Sequence, residues 1–204
     1  MSEQPIIFVV DDDDQARKAV MALLAAMGVA TRGYASAEEF LTDYDGRRPA
    51  CLVTDVRMMG MSGLELQEEL LRRGESIPVI VLTAFASTAG TVRAMKNGAV
   101  TLLEKPCDDD ELWEAVRDGL AGDRQSLTAE QSRNDVLRRL ETLTPKEREV
   151  MHYITAGDAN KVVARKLACS VRTVELHRHG VFQKMAADSL AELVRMVVAV
   201  EKGA

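Results

Sequence analysis

Short apolar runs rich in valine and isoleucine alternate with segments of helical periodicity through the first 120 residues, and this alternation restricts the fold more than any other feature. The spacing predicts strands over Ile6 to Val10, Ala30 to Tyr34, Cys51 to Thr54, Val79 to Leu82 and Val100 to Leu103. Helices are predicted near Gln15 to Met27, Ala37 to Tyr44, Leu64 to Arg73, Ala89 to Asn97 and Asp109 to Leu120, with Gly28, Gly74 and Gly98 as stops. A strand that returns parallel to its predecessor needs a crossover connection, and a helix supplies one. The expected product is an α/β unit on a five-stranded parallel sheet.

From residue 144 the periodicity is helical throughout. Thr144-Pro145-Lys146-Glu147 reads as a capping box with proline at the first helical position. Asn160 is expected to cap a second helix, NKVVARKL, and Ser170 a third that begins at Val171. Only Ala168 and Cys169 then connect the two, which suggests a helix-turn-helix. Leu190 to Val200 supplies a fourth, amphipathic helix. Residues 123–142 are strongly polar with a few leucines and read as a helical linker rather than a third core; a long coiled coil is not expected, because the heptad spacing begun by Leu120 and Leu127 fails at Asn134. The expected division is 1–122, linker 123–142, and 143–204.

A chain of 204 residues, 47% hydrophobic and 28% charged, has the length for two domains and a globular composition. No apolar stretch reaches the roughly 18 residues that spanning a membrane requires, so neither insertion nor export is expected. Cys51, Cys107 and Cys169 form no CxxC pair or metal-ligand spacing and suit a reducing cytoplasm. The net charge of −6 hides a difference in sign: residues 1–122 hold 21 acidic against 12 basic side chains (−9), and residues 123–204 hold 11 against 14 (+3). The basic half is permissive for phosphate backbones, although many solvated helical domains carry a similar charge.

Ligands of doubly wound sheets bind at the carboxyl ends of the strands, and the chemistry-bearing residues fall there. Asp11 to Asp14 follow the first strand, Asp55 the third and Thr83 the fourth, while Lys105-Pro106 comes just after the fifth. Each alone has an ordinary reading; the aspartate run by itself is best explained as a helix cap favoured by the macrodipole. Together they bring three carboxylates and one ammonium towards one place. Carboxylates so close raise one another's pKa, and a hard divalent cation such as Mg2+ is the natural neutralising partner.

The set VVDDD (9–13), LVTDVRM (52–58), MSG (61–63), LTA (82–84) and EKP (104–106) resembles the receiver domains of response regulators over about the first 120 residues. The resemblance implies an α/β flavodoxin-like receiver with Asp55 as phosphoacceptor. It also implies that Asp11, Asp12, Asp55 and the Arg57 backbone carbonyl hold Mg2+, and that Thr83 and Lys105 contact the phosphoryl group. A carboxylate nucleophile attacking phosphorus, with cations stabilising the phosphoryl oxygens, is consistent chemistry. The family also leads one to expect a cis Lys105-Pro106 bond. Two positions depart from the family pattern: Met59 replaces a loop proline, and Leu102 replaces an aromatic switch residue, which puts the route of signal transmission in doubt.

The stretch 143–185, with SLAELVRMVV at 189–198, resembles the LuxR/FixJ type of DNA-binding domain, and the domain order resembles the NarL/FixJ response regulators, nearest the FixJ side. The expected second unit is an all-α helix-turn-helix domain. Val174, His177, Val181 and Met185 recur at helical spacing as a buried face, which makes His177 structural. Arg172, Thr173, Glu175, Leu176, Arg178 and His179 remain for a major groove and its phosphates, against the plainer reading of a solvated helix face. His152 is expected at a surface or boundary.

The expected function is a DNA-binding transcriptional regulator rather than an enzyme, with a sensor histidine kinase and double-stranded DNA as partners. A homodimer on phosphorylation and RNA polymerase are further expected partners, and the cytoplasm is the expected location. One alternative is a receiver that interacts without phosphate. The other is an aspartyl-phosphate phosphohydrolase of the haloacid dehalogenase type, disfavoured because Gln15 and Ala16 stand where DxDx[TV] needs threonine or valine.

Overall fold

The computed structural model describes residues 4–201. The outer ends of the two expected domains, 1–3 and 202–204, lie outside the described residues. The chain divides into two compact units, Met1–Leu127 and Thr128–Ala204.

In the first unit β1 (Ile6–Val10), β2 (Ala30–Tyr34), β3 (Ala50–Asp55), β4 (Val79–Thr83) and β5 (Thr101–Glu104) form one parallel sheet in the order β2-β1-β3-β4-β5. Four helices alternate with the strands: α1 (Asp14–Ala26), α2 (Ala37–Asp43), α3 (Gly63–Arg72) and α4 (Thr88–Lys96). Buried residues on both faces explain why β1, β3 and β4 read as continuous apolar runs. Side chains still alternate between two cores. Ile6, Phe8 and Val10 pack with Leu52, Phe40 and Leu66 on one face. Ile7 and Val9 pack with Val53, Ile80, Leu24 and Leu112 on the other.

The expected glycine stops have the required geometry: Gly28, Gly74 and Gly98 sit at φ of 81°, 76° and 78°, just past α1, α3 and α4. The fifth helix joins two stretches that were expected separately. α5 runs over Asp109–Glu141, past the end anticipated at Leu120 and through the expected helical linker, because Gly122 stays helical and the following Arg, Gln, Leu, Ala and Glu residues favour continuation. Within it, Asp123 is buried in the first unit, accepting from Arg48 and the Ala50 N–H. Val136 belongs to the core of the second unit.

That second core gathers Val136, Leu143, Val150, Ile154, Val163, Val174, Val181, Met185 and Leu193 from the end of α5, the short connection after it, and α6 (Pro145–Thr155), α7 (Asn160–Lys166), α8 (Val171–Met185) and α9 (Leu190–Glu201). The Thr144/Glu147 capping box is present at α6, and Ser170 caps α8 by accepting from the Thr173 N–H. Asn160 is not the cap of α7. Ala159 holds that position without a side-chain bond, and Asn160, the first helical residue, spends its Oδ1 on Arg178 instead.

Candidate functional site

The parallel register sets Asp55, the last residue of β3, beside Leu82 of β4, and sets Val10, just before Asp11, beside Thr54. Thr83 is the last residue of β4, and its carbonyl accepts the Lys105 N–H at 2.7 Å. Asp55 and Thr83 therefore end their strands rather than follow them, because ladder pairing continues one residue further than the apolar runs suggest. Lys105 follows β5, and its bond to Pro106 is cis.

Three of the expected residues converge. Lys105 Nζ donates to Asp11 Oδ2 at 2.7 Å and to Asp55 Oδ1 at 2.6 Å. Asp11, Asp55 and Thr83 are buried. Burial works against the charge on Lys105, but its hydrogen bonds and attraction to the two carboxylates outweigh that cost and hold its pKa above the ordinary lysine value. Two carboxylates against one ammonium leave the cluster one negative charge in excess.

The remaining expected residues are engaged nearby. Asp55 Oδ2 accepts the Arg57 N–H at 2.6 Å, and Asp11 Oδ1 accepts the Asp13 N–H at 2.9 Å. Asp12 Oδ2 accepts the Met59 N–H at 2.8 Å, in the loop that follows Asp55. Thr83 Oγ1 accepts the Phe85 N–H at 3.2 Å. Asp13 is the cap of α1, accepting from Gln15 and Ala16, so one residue of the aspartate run caps the helix while another, Asp11, bonds Lys105. Among the described residues, no three acidic, histidine or cysteine side chains converge as a ready metal-ligand set. The donor chemistry nevertheless fits Mg2+: it is all oxygen, it is net negative, and this ion binds through one or two carboxylates while keeping several waters.

In the second unit, α8 buries Val174, Val181 and Met185, while His177 is half-buried on the same side. Arg172, Glu175, Leu176 and His179 are exposed and recur at helical spacing on another face, with Leu176 70% exposed despite being apolar. Thr173 is half-buried, its hydroxyl 2.8 Å from that of Ser170. Arg178 is also half-buried: Nη1 donates to Asn160 Oδ1 at 3.1 Å, and its guanidinium lies 5.5 Å from the Phe182 ring centre. His152 is exposed, edge-on to Tyr153.

A sequence profile of the response regulator receiver domain matches residues 7–117, and one of bacterial regulatory proteins of the luxR family matches residues 141–197. The chain belongs to the response regulators with a LuxR-type DNA-binding domain. This response regulator is 42% identical to the transcriptional regulatory protein FixJ of Azorhizobium caulinodans, over 97% of this chain and 94% of that protein. It is 40% identical to FixJ of Rhizobium meliloti, over 95% of each. Among solved structures, the response regulator StyR is similar at a TM-score of 0.86 and 36% identity, covering 96% of this chain and 99% of that one. Full-length FixJ from B. japonicum is similar at 0.59 and 35%, covering 98% and 99%.

Three features of this response regulator's receiver site had no assigned role in the sequence. Glu38 Oε1 accepts the Met61 N–H at 2.9 Å and so anchors the loop after Asp55 from α2; nothing local announces a contact across such a sequence separation. The Arg57 guanidinium lies over the exposed Phe85 ring, 4.1 Å from its centre. Gly63 packs so closely that a Cβ there would sit 2.0 Å from the Asp55 carbonyl oxygen. The MSG motif contained this last signal, but only the fold reveals what the glycine faces. No helix among the described residues is long and apolar enough to cross a membrane.

Proposed function

We propose that this response regulator is switched by phosphorylation of Asp55 and that the switch controls binding to double-stranded DNA. The observation that carries the reading is Lys105 Nζ, 2.6 Å from Asp55 Oδ1 and 2.7 Å from Asp11 Oδ2. An Asp55 oxygen attacks the phosphorus of a sensor kinase's phosphohistidine; the new O–P bond forms as the P–N bond breaks. Lys105 already carries the positive charge that phosphoryl oxygens require, and the Thr83 hydroxyl is the donor to one of them. Asp11, Asp12, Asp55 and the Arg57 carbonyl are the groups that would hold Mg2+, which supplies charge neutralisation at the phosphoryl oxygens.

Residues 1–122 are the phosphoacceptor part in this reading, 123–142 the connection and 143–204 the DNA-binding part. Arg172, Thr173, Glu175, Leu176, Arg178 and His179 meet DNA, phosphorylation favours a homodimer that reads paired half-sites, and RNA polymerase is the downstream partner in the cytoplasm. The exposed face of α8, which carries Arg172, Glu175 and His179 beside Leu176, and the profile match over 141–197 support the DNA reading.

Mass spectrometry after incubation with acetyl phosphate tests the assignment. One phosphoryl group is expected on Asp55 with Mg2+, none after chelation, and none in Asp55→Asn. Labelling that persists undiminished in Asp55→Asn contradicts it.

A further inference from the structure

The loop between β3 and α3 carries the Arg57 carbonyl, and carboxylates hold its backbone. The Val56 N–H still belongs to the sheet, donating to the Leu82 carbonyl at 3.0 Å. Beyond it the N–H groups at 57, 59 and 61 each meet an acidic side chain. Arg57 donates to Asp55 Oδ2 at 2.6 Å, Met59 to Asp12 Oδ2 at 2.8 Å and Met61 to Glu38 Oε1 at 2.9 Å. These acceptors come from separate elements: the end of β3, the loop after β1 and the first turn of α2.

The contact with Glu38 is matched by the loop itself. Gly60 has a φ of 83°, and a Cβ there would come within 2.9 Å of Glu38 Oε1. Glycine is thus favoured twice, by the left-handed backbone and by the close approach of the carboxylate. The helix on the other side is fixed: Ser36 caps α2 by accepting from the Glu39 N–H, and Phe40 and Leu41 are buried. The bond therefore ties the loop to a packed element.

The three acceptors differ in what else they must do. Asp12 and Asp55 belong to the group that would hold Mg2+, and Asp55 is also the nucleophile. A cation or a phosphoryl group on these carboxylates draws electron density from the oxygens that accept from Met59 and Arg57, which weakens both bonds. Glu38 lies outside that group, so its bond to Met61 keeps its strength.

We propose that Glu38 is a positioning residue for the phosphoryl site: through Met61 it holds the loop so that the Arg57 carbonyl keeps its place as Asp12 and Asp55 are taken up by Mg2+. This rests on the reading of those carboxylates as the Mg2+ holders and adds a residue to it. Groups that orient a metal's ligands without touching the metal commonly alter affinity by about 10–100-fold. Glu38 is exposed, which puts its effect at the lower end.

Mg2+ is titrated into the full-length chain while the backbone amide resonances of residues 55–63 are followed by NMR, for wild type, Glu38→Ala and Glu38→Gln. Glutamine keeps an acceptor oxygen and loses only the charge, whereas alanine loses both. Both substitutes are good helix formers at an exposed position, so α2 is retained. Glu38→Ala should weaken Mg2+ binding about tenfold and shift the Met61 amide resonance before Mg2+ is added. Glu38→Gln should stay close to wild type in both respects. Equal affinity in wild type and Glu38→Ala would overturn the proposal and leave the Asp55 reading standing. Equal weakening in the two variants would overturn it as well, because the charge of Glu38 would then act at a distance rather than through Met61. Absence of Mg2+ binding to wild type would remove both the proposal and the reading beneath it.

Discussion

An alanine at position 63 would place its Cβ 2.0 Å from the Asp55 carbonyl oxygen and 2.8 Å from Thr54 Oγ1. The oxygen it meets is backbone and cannot rotate aside, so the loop carrying Arg57 and Met59 would have to move. Gly63→Ala is therefore expected to destabilise the receiver by about 3 kcal/mol and to slow Asp55 phosphorylation; chemical denaturation and acetyl-phosphate labelling check both. Asp11, Asp55 and Lys105 were legible as a cluster because strand ends in a parallel sheet converge whatever the details of the side chains. The orientations of Asp12 and Thr83 were not legible, since each is set by the N–H of a loop residue, Met59 and Phe85 respectively. Asn160 was misread for the same kind of reason: its residue type fits a cap, but Arg178, 18 residues away, supplies a competing partner.

At the scale of elements, α8 is held from behind. Glu147 of α6 accepts from Lys184 Nζ at 2.6 Å and from the Thr144 N–H at 2.7 Å, and the Lys184 bond comes first in keeping its pKa at about 2. A depressed carboxylate stabilises the fold above its unfolded pKa of about 4.3. That contribution is lost as pH falls towards about 2. Thermal unfolding of wild type and Glu147→Gln should thus differ near neutral pH and converge in acid; a constant difference across that window contradicts the pairing. Although Arg178 is half-buried against Asn160 and Phe182, its cationic end is long enough for a phosphate, and Arg178→Ala should weaken binding alike across DNA sequences and reduce the salt slope by about 1. Glu175→Ala should instead relax preference at one base position by about 1–3 kcal/mol, as a carboxylate accepts from a cytosine amino group but gains nothing from phosphate. Selection from randomised DNA separates the two, and an unchanged base preference in Glu175→Ala would leave Glu175 as a solvated residue. Turn and cap signals made most boundaries readable in the sequence. α5 was expected in two pieces, a helix to Leu120 and a polar helical linker over 123–142, and the burial of one of the linker's polar residues, Asp123, as a partner of Arg48 was not legible.

For the whole molecule, an acidic receiver half at −9 and a basic half at +3 place Asp55 and α8 in parts of opposite charge. Family, fold and domain order were all readable, because motif spacing and periodicity agree along the chain. The transmission route was not readable: Leu102 is half-buried against one receiver core and Met59 is 84% exposed, and neither offers the ring or the rigid proline of the family pattern. In the proposed function, phosphate at Asp55 changes how the chain binds DNA. Its most direct test is the affinity of the full-length chain for a DNA site enriched from a random pool, measured before and after acetyl phosphate with Mg2+. A gain of about a hundredfold is expected as half-sites are bound together, and no gain for Asp55→Asn. Equal affinity in a sample shown to be phosphorylated at Asp55 would contradict it.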